Sequence, residues 1–231
     1  MLTPHEIAKM IDHALLKPEM DEEAVRKGLL VAKKYDTASV CVRPCDLKLA
    51  AEVLAGTDVK LCTVIGFPHG SNRTEVKLLE AQLAMDDGCT ELDMVVNIGK
   101  LRSGDYEYVF NDIRTIVEAG HARGALIKVI MENAYLNEDE KIKLCEICAA
   151  AGADFTKTST GFASSGATLE DIVLMRRNTP DHMQVKAAGG VRTLDQALAF
   201  RAAGCARLGA TATEAIMTEA EKRFAEKGTL D

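Results

Sequence analysis

Short apolar, β-branched runs alternate with longer stretches of helical spacing along the whole chain. A helix at roughly 3–10 leads in, and Ile11 to Leu16 forms a first strand closed by Lys17-Pro18. Helix 21–35 follows with Asp21 as its N-cap, and strand two runs from Thr37 to Arg43, where Pro44 ends it. Helix 45–55 leads to strand three, Lys60 to Gly66, which opens into the loop Phe67-Pro68-His69-Gly70. The helix at 73–87 carries its apolar residues at Val76, Leu79, Leu83 and Met85, and Gly88 stops it. Strand four (Glu91 to Val96), helix 105–123 and strand five (Ala125 to Met131) come next. Asn137 and Glu140 form a capping box for helix 138–151, with Gly152 as its stop. A sixth strand holds Lys157; helix 168–178, strand seven (Met183 to Ala187), helix 193–203, strand eight (Cys205 to Leu208) and a final helix at 213–227 complete the chain.

Eight such units predict an α/β fold, a (β/α)8 TIM barrel with a short extra N-terminal helix, in one catalytic domain spanning residues 1–231. The competitor is an open doubly wound sheet, which needs a ligand crevice at one switch point. Unusual polar residues instead mark the carboxyl ends of many strands, and this favours the barrel.

Composition narrows the partners. Of 231 residues 47% are hydrophobic and 4% aromatic, a balance suited to parallel strands covered by helices. The net charge of −7 leaves no basic stripe for nucleic acid, so any ligand phosphate must be held locally. No apolar run approaches the ~20 residues that span a bilayer. Seven scattered cysteines, an odd number with no secretory signal before them, read as reduced thiols and predict a cytoplasmic protein. Cys145 and Cys148 form a C-x-x-C inside a helical pattern, without the second pair that a zinc site needs. No metal and no cofactor are expected.

The chain is organised around Ala153-Asp154-Phe155-Thr156-Lys157-Thr158-Ser159-Thr160-Gly161-Phe162, a lysine in a β-prone run that ends in hydroxyl residues and a glycine. Asp93, Lys128, Lys157 and Lys186 all fall within strands or at their ends, with Asp12 as a fifth candidate. A network of salt bridges filling the barrel is the plain structural explanation. Four charges together, two of them lysines on adjacent strands, point further. A lysine titrates near ~10.4; a neighbouring ammonium and a dry Ala/Val/Phe wall would lower that to ~7–8 and expose a nucleophilic amine. Such an amine condenses with an aldehyde to an iminium, which acts as an electron sink, while Asp93 moves protons. Chemistry alone leaves the order of the two lysines open, with a preference for Lys157, because the hydroxyls of Thr158 to Thr160 can position water or substrate oxygens. Cys41, inside strand two, is a secondary candidate as an interior thiol near an aldehyde site. His13 and His69 read more readily as structural residues.

A phosphate signal accompanies the lysines. Gly189-Gly190-Val191-Arg192-Thr193 follows strand seven and Gly209-Ala210-Thr211-Ala212-Thr213 follows strand eight, each opening a helix. Loops at these two strands form the usual barrel phosphate site. Glycine lets backbone N–H groups approach the oxygens, and Arg192 and Thr211 could add donors.

Over nearly its whole length the chain resembles the deoxyribose-phosphate aldolase family of Schiff-base-forming class I aldolases. Five segments carry the resemblance: Thr63 to Gly70, Glu91 to Asn97, Lys128 to Glu132, Phe155 to Phe162 and Val185 to Thr193. It implies a Schiff base on Lys157 and proton donor and acceptor roles for Asp93 and Lys186. Gly161 joins Gly189, Gly190, Val191, Arg192, Gly209, Ala210 and Thr211 in the substrate-binding set. It further implies metal-free, reversible cleavage of 2-deoxy-D-ribose 5-phosphate to acetaldehyde and D-glyceraldehyde 3-phosphate, and a homodimer or homotetramer is expected. Two departures stand out. Some members end in a tyrosine where this chain ends Lys227-Gly228-Thr229-Leu230-Asp231, and Ala212 stands where many relatives carry serine. The alternatives are a Schiff-base lyase or thiolase-like enzyme for another sugar phosphate, and a barrel that binds a sugar phosphate without turning it over.

Overall fold

The computed structural model describes residues 1–230, in which eight parallel strands close into a barrel in sequence order. The strands are β1 (Ile11–Leu15), β2 (Ser39–Val42), β3 (Lys60–Ile65), β4 (Glu91–Val95), β5 (Leu126–Ile130), β6 (Phe155–Lys157), β7 (Gln184–Ala188) and β8 (Arg207–Ala210). Closure is made by β8 pairing with β1, Asp12 lying opposite Gly209.

Around them lie α1 (Pro4–Ala8), α2 (Glu22–Tyr35), α3 (Leu47–Val53), α4 (Thr74–Asp86), α5 (Ile98–Arg102), α6 (Tyr106–His121), α7 (Glu138–Ala151), α8 (Leu169–Arg177), α9 (Leu194–Ala202) and α10 (Thr213–Lys227). The short leading helix α1 and the capping box of α7 are as the sequence predicts, and Gly152 ends α7 with φ +81°, where a β-carbon is strained. The main hydrophobic core fills the layer between strands and helices, drawing on residues such as Leu29, Leu92, Ile113, Ile127 and Leu208. Side chains alternate along each strand, so the other face points into the barrel, and there the filling is largely charged.

The helix expected at 105–123 is found as α6, and a short helix that was not expected, α5, capped by Asn97, precedes it. Two expectations are corrected. Strand eight lies two residues later than expected, because Cys205 still bonds back to Phe200 as α9 ends. On α4, Val76, Leu79 and Leu83 are 44%, 55% and 56% exposed, and the buried face is Lys77, Ala81, Ala84 and Met85. Lys77 can be buried because its ammonium donates to Asp112 Oδ2 at 2.5 Å and to the Val95 carbonyl at 2.9 Å.

Candidate active site

The charged barrel interior follows from strand register. Lys157 of β6 lies opposite Lys186 of β7, and Asp93 of β4 lies opposite Lys128 of β5. Asp93 is fully buried, and its Oδ2 accepts from Lys157 Nζ and Lys186 Nζ, each at 2.7 Å. Its other oxygen, Oδ1, accepts from Lys128 Nζ at 2.9 Å. Asp12 Oδ2 stands 2.5 Å from Lys186 Nζ, and Glu91 Oε2 accepts from Lys128 Nζ at 2.6 Å. Arg207 closes the network by donating to both Asp12 and Glu91.

The network holds four cations (Lys128, Lys157, Lys186, Arg207) and three carboxylates (Asp12, Glu91, Asp93). Lys128 and Lys186 each meet more than one carboxylate, whereas Lys157 has one carboxylate oxygen, shared with Lys186. Burial alone would push Asp93 up, but the ammonium groups of Lys128, Lys157 and Lys186 hold it well below the carboxylate range. Asp12 is likewise held down against its burial by Lys186, Lys128 and Arg207. Burial works against the charge on Lys186, yet Asp12 and Asp93 outweigh it and raise the ammonium above its usual value. The expectation of two lysines repelling across a dry wall therefore needs amending. A carboxylate lies between them, and Lys186 is a firmly held cation.

Above this floor opens a cavity of about 480 Å³, within the range of small-molecule sites. It gathers Lys157, Lys186, Asp12 and Cys41 with Gly161, Gly189, Gly190, Val191, Arg192, Gly209 and Thr211. Four of the expected residues do not line it. Asp93 is fully buried just beneath the two lysines that do. Lys128 is fully buried beneath, holding Glu91 and Asp93. Ala210 belongs to β8, and alternation turns it toward the helices, where it packs in the core. The Thr158 hydroxyl exchanges hydrogen bonds with the Ala188 backbone, both at 3.0 Å, and so ties β6 to β7.

The two glycine loops differ at their helix starts. Thr193 and Gln196 form a capping box, and Gln196 Oε1 also accepts from Arg192 N, so those amides are already engaged. Ala212 at the start of α10 makes no side-chain cap, and that helix N-terminus keeps amides for an anion.

Several residues at the site were missed from the sequence. Glu91 and Arg207 sit two positions before Asp93 and Gly209, on the same strand face, a spacing that could have marked them. Lys17 and Glu19, after β1, line the cavity rim. Glu132 has φ +54°, in the left-handed region, and its carboxylate accepts from the Thr160 hydroxyl and the Thr160 amide. Thr160 Oγ1 in turn accepts from Phe162 N at 3.1 Å, so Glu132 fixes the turn beside Lys157. Burial pushes the Glu132 carboxyl up, against the Thr160 hydrogen bonds. His69 faces a smaller neighbouring cavity, and His13 is buried with Nδ1 2.7 Å from Thr213 Oγ1.

Among the described residues, Cys41, Cys62 and Asp93 are the three groups close enough to share a metal ion, with ligand atoms within 4.8 Å of one another. Chemistry argues against a cation there, because three ammonium groups already occupy Asp93. Burial pushes the Cys62 thiol well up, and its hydrogen bond to Cys41 lowers the Cys41 thiol. Cys145 and Cys148 are buried in α7 as free thiols.

A buried amine pair bridged by a carboxylate, beneath glycine loops at β7 and β8, defines a (β/α)8 lyase of the aldolase class. The chain matches the DeoC/LacD family aldolase over residues 7–213. It is 52% identical over 216 residues to the deoxyribose-phosphate aldolase of Bacillus cytotoxicus, covering 94% of this chain and 96% of that one. To the enzyme of the same name from Rhodopirellula baltica it is 49% identical over 220 residues, covering 95% and 91%. A tetrameric deoxyribose phosphate aldolase from Aeropyrum pernix superposes with a TM-score of 0.89 at 32% identity, covering 96% of this chain and 93% of that one. The chain belongs to the DeoC/LacD aldolase family.

Proposed function

We propose that the protein cleaves 2-deoxy-D-ribose 5-phosphate reversibly to acetaldehyde and D-glyceraldehyde 3-phosphate, with Lys157 as the Schiff-base nucleophile. The observation that carries this reading is the single oxygen, Asp93 Oδ2, buried at 2.7 Å from both Lys157 and Lys186, the two lysines that line the cavity.

Attack requires the neutral amine, and loss of one proton from the cluster brings its cations and carboxylates to parity. Lys157 Nζ adds to the C1 aldehyde, and loss of water gives the iminium. Removal of the proton from the C3 hydroxyl lets the C2–C3 bond break. Its electron pair moves into the iminium as an enamine, and the phosphorylated aldehyde leaves. Protonation of the enamine at C2 and hydrolysis release acetaldehyde and restore the amine. Asp93, which touches both ammonium groups, serves as the proton acceptor, directly or through a water, and Lys186 as the donor. The phosphate is held by the loops at Gly189 to Arg192 and Gly209 to Thr211, where glycine amides and the uncapped start of α10 supply donors.

The substrate is tested by measuring acetaldehyde release from a panel of sugar phosphates. Deoxyribose 5-phosphate should be the best of them, and a clear preference for another sugar would reassign the enzyme within its class. An assembly of like chains, dimer or tetramer, is supported by the exposed row of Val76, Leu79 and Leu83 on α4. A cytoplasmic setting is supported by the seven free cysteines. No helix among the described residues is long and apolar enough to cross a membrane.

A further inference from the structure

The phosphate cradle built from β7 and β8 is short of charge. Of its residues only Arg192 carries a formal positive charge, Ala212 offers no hydroxyl, and the Arg192 amide is engaged by Gln196. The loop after β1 completes the same side of the mouth, because β1 is hydrogen-bonded to β8 in the closed barrel. Lys17 in this loop lines the main cavity and also the adjoining cavity beside α2, and Thr211 is the β8-loop residue that lines both. The β1 loop thus brings an exposed lysine beside the phosphate loop of β8.

Its backbone is held while its side chain is left free. Arg43 Nη1 donates to the carbonyls of Lys17 and Pro18 at 3.3 and 3.2 Å, and Arg43 is itself fixed by Asp46 at 2.6 Å. No carboxylate among the described residues pairs with the Lys17 ammonium, although Glu19 lines the same rim. A free cation on an anchored loop at the mouth is arranged to meet an anion.

We propose that Lys17 is a phosphate-binding residue of this site, closing from the β1 side the cradle that the β7 and β8 loops open. The proposal rests on the sugar-phosphate reading above, and it makes the phosphate, not the aldehyde, the feature that Lys17 selects.

The test compares kcat/KM for 2-deoxyribose 5-phosphate with that for unphosphorylated 2-deoxyribose, and reads the ratio of the two. Lys17→Ala should lower that ratio about tenfold, and Lys17→Arg should restore most of it. In parallel, calorimetric titration with inorganic phosphate should show weaker binding by Lys17→Ala than by the wild type. An unchanged ratio, or one that Lys17→Arg fails to restore, overturns the proposal. A wild-type protein that cleaves neither sugar counts against the functional reading. The phosphate titration then judges Lys17 by itself, and equal binding by wild type and Lys17→Ala refutes it.

Discussion

Lys157 and Lys186 are register partners on neighbouring parallel strands, and their ammonium nitrogens converge on the same oxygen of Asp93, each at 2.7 Å. Adjacent strands lie about 4.8 Å apart, so two long side chains in register inside a barrel must end in the same small volume. Without a carboxylate between them they would repel; with one they form a site in which an amine, a cation and a base all touch.

Asp93→Asn should remove both catalytic competence and stability. Three ammonium groups would then surround a neutral amide, and breaking a buried ion pair from one side costs about 3–5 kcal/mol. Turnover should fall at least about a hundredfold through loss of the proton acceptor. Urea unfolding and steady-state kinetics check the two parts separately. A variant as stable as the wild type would mean that the carboxylate does not hold the lysines together.

His13 sets one part of the pH dependence of stability. Burial lowers its pKa from 6.5 to about 4, so the unfolded chain binds more protons than the folded one between those values. Stability therefore rises with pH across this window. The contribution is complete above pH 6.5 and is lost as pH falls toward about 4, amounting to about 3 kcal/mol. His13→Asn should flatten the slope between pH 4 and 6.5 in denaturant titrations, leaving the steeper acid loss below about pH 4 that comes from Asp12 and Asp93. A slope that survives the substitution would assign the effect to other groups.

Glu132 should act through Thr160. Its carboxylate accepts both the hydroxyl and the amide of Thr160, and Thr160 accepts the Phe162 amide, so the turn over Lys157 depends on a residue that lines a different cavity. Glu132→Gln should lower kcat/KM about tenfold, the scale of one hydrogen bond to a charged group. In a double-mutant cycle with Thr160→Val, the Glu132→Ala and Thr160→Val losses should fall well short of adding. Strict additivity would show that the two residues act independently.

The barrel, its eight strand–helix units and the lysine–aspartate centre were legible in the sequence, because strand register and period-two alternation are local properties. Lys157, Lys186 and Asp93 could be placed on inward faces from their strands alone. The outward turn of Val76, Leu79 and Leu83 was not legible. It depends on Lys77 finding Asp112, 35 positions away on α6, before the face of α4 that carries this lysine can be the buried one. Ala210 was misplaced because β8 runs two positions beyond its expected end, to Ala210 itself, so this residue is an outward strand position and not part of the loop. The roles of Glu91, Arg207 and Lys17 needed the closed barrel, which brings β1, β4 and β8 around one interior. The sequence puts Asp93 beside the two lysines but does not show that they share one of its oxygens.

The central claim is that Lys157 is the amine that reacts. The most direct measurement incubates the protein with 2-deoxyribose 5-phosphate, adds sodium borohydride and locates the adduct by peptide mass spectrometry. A reduced two-carbon or sugar-phosphate adduct on Lys157, absent from a folded Lys157→Ala variant whose turnover has dropped more than about a thousandfold, is the predicted result. An adduct on Lys186 instead, or none in a folded and active wild-type sample, would contradict it.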